Sequence, residues 1–205
     1  INRKFTLTKK IPTMNDFWIY FNIGLNHVLD FNAYDHMIFL LALTLPYDAK
    51  AWKRLLILIS IFTLGHTISL FLSVFDVVKI KPTLVEFLIP ITILITAVYN
   101  LVSQGKKGKN ESLSFIGFVT LFFGIIHGLG FSGYFSSILP GNATDKLWPL
   151  LEFALGIETA QIIIVILALI IGYVVQTLFK FSKRDWILSV SSFIIGIVMP
   201  LIIHN

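Results

Sequence analysis

The 205-residue chain has no cysteine at all, so a disulfide framework, a thiolate zinc site and an iron–sulfur cluster are all excluded. Charge is scarce as well: only 13% of residues are Asp, Glu, Lys or Arg, against about 25% in ordinary soluble domains. Apolar residues fill the difference, at 56% of the chain with a mean hydropathy of +0.85. They run in blocks of about 20, the length a helix needs to cross some 30 Å of hydrocarbon. A soluble enzyme, a disordered chain and a nucleic-acid-binding domain do not have this composition. Nor is there the alternation of polar and apolar residues that a transmembrane β-barrel requires. The sequence predicts an all-α, polytopic helical membrane protein, with the bilayer and a metal ion as partners and no nucleic acid. Self-association into a homo-oligomer stays open.

Residues 1–15 are polar and basic and read as an extramembrane tail, leaving 16–205 as a single transmembrane domain. The first apolar segment is interrupted: Phe17–Leu29 and Tyr34–Leu45 flank Asp30-Phe31-Asn32, and neither half alone is long enough to span. The pair is read as one broken or re-entrant crossing, with non-helical backbone tolerated where protein or a wet cavity covers it. Five clearer spans follow, at about Trp52–Phe75, Thr83–Val102, Leu113–Ile138, Trp148–Phe179 and Trp186–Ile203. The count is six, or seven where Phe17–Leu29 crosses by itself. Trp18, Trp52, Trp148 and Trp186 all lie near span ends, as interfacial belts require.

The 16 basic residues sit almost wholly between these blocks and set the orientation. Lys50, Lys53, Arg54, Lys106, Lys107, Lys109, Lys180, Lys183 and Arg184 fall on one side, while the other side's loops carry Lys79, Lys81 and Lys146. Positive-inside bias assigns the first set to the cytoplasm, which puts both termini outside.

Ionisable residues within spans are costly and usually face a functional interior. His66 lies fourteen residues into its span and His127 fourteen into its own, each about 21 Å of helical rise. Glu158, on a span running the other way, reaches a comparable depth, and Gln161 shares its helix face three residues on. Asp35 and His36 are adjacent at the restart of the broken segment. Beyond Lys53 and Arg54 at the very start of their span, no Lys or Arg lies within the spans to pair with Glu158. Histidine with carboxylate and no thiolate suits divalent zinc, nickel, manganese or iron. Asp35, His36, His66, His127 and Glu158 are the candidate metal set; His27, Gln161 and Glu86 are secondary or gating groups. A lone span histidine is as readily a helix-packing hydrogen bonder, so it is the depth match that raises the metal reading.

Four stretches resemble the HupE/UreJ family: Phe62-Thr63-Leu64-Gly65-His66-Thr67, Phe123-Gly124-Ile125-Ile126-His127-Gly128-Leu129-Gly130-Phe131, Leu155-Gly156-Ile157-Glu158-Thr159-Ala160-Gln161, and His27 with Tyr34-Asp35-His36-Met37-Ile38-Phe39-Leu40. The resemblance implies a bacterial inner-membrane permease with nickel or cobalt as cargo, handled by Asp35, His36, His66, His127 and Glu158. The same residues also suit an intramembrane hydrolase or transferase with zinc as cofactor, acting on a lipid or lipid-anchored substrate. In that case Glu158 or Asp35 would be the general base.

Overall fold

The computed structural model describes residues 14–103, 112–139 and 143–204. Most of the basic tail and Lys106, Lys107 and Lys109 lie outside the described residues. The helices are α1 (Met14–Leu29), α2 (Asp35–Thr44), α3 (Trp52–Val74), α4 (Pro82–Ser103), α5 (Leu113–Ile138), α6 (Leu147–Leu178) and α7 (Lys183–Ile203), and no strand occurs among the described residues. Five of them, α3 to α7, are long and apolar enough to cross a membrane. Outward-facing Leu64, Phe118, Ile166 and Phe193 are exposed, so much of the bundle's perimeter is apolar. That is the surface expected toward lipid chains.

The interruption in the first segment is a turn. Asp30 Oδ1 accepts from the Asn32 backbone N–H at 2.8 Å, and Ala33 N–H donates to the Asp30 carbonyl at 3.1 Å. Short polar side chains that bond their own backbone two residues on compete with helix and favour such a stop. Trp18, Trp52 and Trp148 are about half exposed, in keeping with interfacial positions.

Two glycine seams hold the bundle. A methyl group added at Gly65 would strike the Leu121 carbonyl, one at Gly124 the Phe62 carbonyl, and one at Gly128 the His66 carbonyl and Ser69 Oγ. These three bring α3 and α5 to backbone contact. Gly24 and Gly156 do the same for α1 and α6, facing the Phe153 and Phe21 carbonyls. Lipid supplies little hydrophobic drive between helices, so close backbone approach through small residues is what gains dispersion energy. On another side α4 packs against α7, and the two carry buried stripes at helical spacing: Val85, Ile89, Ile93 and Ala97 on α4, the first two reaching Gly130 of α5, and Ile187, Ser191, Ile194 and Val198 on α7.

Two ends of the bundle can be distinguished. The basic end carries the α2–α3 and α6–α7 junctions, where Lys183 Nζ pairs with Asp48 and donates to the Tyr47 carbonyl at 2.9 Å. There Ser182 Oγ also caps α7 by accepting from Asp185 N–H at 3.1 Å. The opposite end carries the α3–α4 and α5–α6 junctions, bridged by Lys146 Nζ to the Val74 carbonyl at 3.4 Å.

Candidate metal centre

The seams carry the histidines with them. His27 lies three residues beyond Gly24, His127 three beyond Gly124, and His66 next to Gly65, so each ring sits within a turn of a backbone-to-backbone contact. His36 is the second residue of α2, turned inward where the broken segment restarts. The rings form one contact group: His27–His36 centroids are 4.8 Å apart, His36–His66 5.7 Å, His27–His66 5.8 Å and His36–His127 5.2 Å. His36, His66 and His127 are buried at 2% exposure or less.

Hydrogen bonds orient two of the rings. Asp35 Oδ1 accepts from the His36 backbone N–H at 2.9 Å and lies 3.2 Å from His36 Nδ1. His127 Nδ1 lies 2.9 Å from the Phe123 carbonyl. A carboxylate and a carbonyl can only accept, so both rings carry their proton on Nδ1 and hold a lone pair on Nε2. Those Nε2 atoms, together with His27 Nε2 and both nitrogens of His66, are buried without a hydrogen-bond partner. Unsatisfied buried polar atoms cost free energy and are uncommon. Five of them in a single cluster form a donor set that a metal ion could satisfy. One ring nitrogen from each of His27, His36 and His66 lies within 4.8 Å of the others. Small ring rotations bring these within reach of one ion at metal–nitrogen distances of about 2 Å, so the donor set fits a borderline divalent metal.

Aromatic layers close the cluster on both sides. Toward the opposite end, Phe131 and Phe153 stack with centroids 5.1 Å apart and planes 4° apart, Phe135 lies 4.5 Å from Phe153, and the His27 ring rests 3.8 Å from Phe131. Toward the basic end, Phe39 stacks on Phe62 at 4.8 Å, and both lie 5.1 Å from His127. The histidines therefore sit between two phenylalanine layers, with His36, His66 and His127 out of contact with the surface.

Of the residues singled out from sequence, His36, His66 and His127 meet, with Asp35 at the edge holding His36. His27, read as secondary, belongs to the tightest trio. Glu158 is not brought to the ring nitrogens: it accepts from Ser60 Oγ at 2.5 Å, across from α3. Gln161 is wholly buried and accepts from Thr63 Oγ1 at 3.0 Å. Glu86 is exposed on α4. The depth argument located Glu158 along the bilayer normal but not around it, and that azimuth separates it from the histidines. The phenylalanine layers and the buried Glu152 were not singled out from sequence. The recurrence of Gly-x-x-His at Gly24 and Gly124 was the readable signal for His27.

Helices long enough to cross a bilayer around a buried histidine centre define a polytopic membrane protein. The family model described as HupE / UreJ protein matches residues 3–205, and the chain belongs to that family. No curated protein and no solved structure matches it significantly.

Proposed function

We propose that the protein is a divalent-metal permease of the nickel or cobalt type, with His27, His36, His66 and His127 as the seat its cargo occupies during passage. The observation that carries this reading is the group of buried ring nitrogens without partners. Imidazole-only donors favour borderline metals such as nickel, cobalt and zinc over magnesium or calcium. In this reading Asp35 orients His36, the role an outer carboxylate plays behind a metal-bound histidine. A cavity of about 210 Å³ between α2, α4 and α5 begins on the far side of Phe39 and Phe123 and extends toward the basic end as far as Tyr47 and Ser103. Displacement of the Phe39–Phe62 stack would join it to the histidine layer, and the Phe131–Phe153 stack would be the corresponding barrier on the other side. The basic end faces the cytoplasm of a bacterial inner membrane, by positive-inside bias, and the broken α1–α2 segment completes a sixth crossing.

A second reading has one observation behind it. A carboxylate-oriented histidine in an imidazole cluster is also the donor chemistry of a catalytic zinc centre, which supplies an activated water. Here His27, His36, His66 and His127 would hold the metal. The placement of Glu158 at Ser60 takes one of the two candidate bases away from the cluster and leaves Asp35, which already holds His36.

Metal content and exchange separate the two. Protein purified in detergent and loaded with nickel should hold about one ion per chain that exchanges within minutes against labelled nickel. Zinc at one per chain that resists exchange for hours would overturn the permease reading. No bound metal of any kind would overturn both.

A further inference from the structure

A second polar group lies apart from the histidines, where α3 crosses α6. Ser60 pairs with Glu158 and Thr63 with Gln161, at 2.5 and 3.0 Å. The helices run in opposite directions, since α3 leaves the basic end and α6 returns to it. Pairing in the same sequence order therefore crosses the two links and gathers four side chains into one patch instead of spreading them along a seam. All four offer oxygen. Glu158 is half buried, and no ion pair found among the described residues includes it. Gln161 is 0% exposed, and its Nε2 has no partner. Its Oε1, which accepts from Thr63, keeps a second lone pair.

A carboxylate in a membrane span without a cationic side chain needs a counter-charge. Oxygen-only donors of net charge −1 match a hard monovalent cation, whereas the imidazole layer matches a borderline divalent one. Ser60 is exposed at the edge of the patch. We infer that Ser60, Thr63, Glu158 and Gln161 form a sodium site, separate from the histidine centre. Its use as a coupling site for metal movement rests on the permease reading; the binding itself does not.

The test is sodium binding to the purified full chain in detergent, by scintillation proximity with labelled sodium, on metal-free and nickel-loaded protein. Wild type should bind about one sodium per chain. Glu158→Gln should lose it by at least tenfold in affinity and Ser60→Ala by a smaller factor, both keeping the wild-type nickel stoichiometry and a monodisperse elution profile. Absence of sodium binding in wild type overturns the proposal, including the case in which Glu158 takes up a proton instead. Unchanged binding in Glu158→Gln also overturns it. Loss of nickel in Glu158→Gln would make the carboxylate part of the histidine centre and overturn the separation. Should Glu158→Gln fail to fold, Ser60→Ala carries the same comparison. Nickel bound without sodium sinks this proposal alone, and sodium without nickel sinks the permease reading alone.

Discussion

The histidine layer and the α3–α6 patch share helix α3 and differ in almost everything else. His66 and its partners present nitrogen, are buried between phenylalanine layers, and depend on glycine seams that bring backbones into contact. Thr63 and Ser60, about one and two turns away on the same helix, present oxygen toward α6, and their patch reaches the surface at Ser60. On the two proposals made above, a few residues of one helix would separate two ions by donor chemistry. Phenylalanine rings flank the first, and among the described residues none is recorded against the second.

The sharpest way to break the comparison is to open the seam without touching a donor. Gly124→Leu drives a side chain into the Phe62 backbone. Overpacking on this scale should cost about 3 kcal/mol or more and remove nickel binding. Thermal unfolding in detergent with a metal assay is the check, and Gly133→Ala, where an added methyl meets nothing within 4 Å, should stay within about 0.5 kcal/mol of wild type. His66→Ala should lower nickel affinity by about 100-fold or more, since removing a donor exceeds the 10–100-fold cost of losing an outer partner. Sodium binding should survive it; loss of both ions together would merge the two sites. Asp35→Asn should weaken nickel by about 10-fold to 100-fold, because an amide can turn its NH₂ toward His36 and no longer fixes the proton on Nδ1. Titration by calorimetry measures it, and an unchanged affinity would remove Asp35 from the centre. Smallest of all, Lys183→Met at the basic end should cost at most about 1 kcal/mol, the worth of a partly exposed ion pair, and leave both ions bound.

Much of this architecture was legible in the chain. Trp52–Phe75, Leu113–Ile138 and Trp148–Phe179 agree with α3, α5 and α6 to within a residue at each end, because an apolar run in lipid has no stable alternative to helix. The start of α7 lies three residues earlier than expected, at Lys183, because the Ser182–Asp185 cap nucleates it before the apolar run begins. The break at Asp30 was legible too, from short polar residues between apolar halves. The candidate centre was legible only by depth. Helical rise places His66 and His127 at one level, but which residues at that level face each other depends on helix rotation and neighbour order, and Glu158 went to Ser60 for that reason.

The sequence by itself determined an all-helical membrane protein, its long helices, the interruption after α1, and a histidine-rich level within the bundle, since each follows from hydropathy, length and turn chemistry along one dimension. Only the tertiary structure decided that His27 joins His36 and His66, that Asp35 holds a ring, and that phenylalanines seal the layer. It also decided that oxygen donors collect separately at the α3–α6 crossing. Those outcomes depend on which helices the glycines let touch, and helix neighbours are chosen by packing in three dimensions.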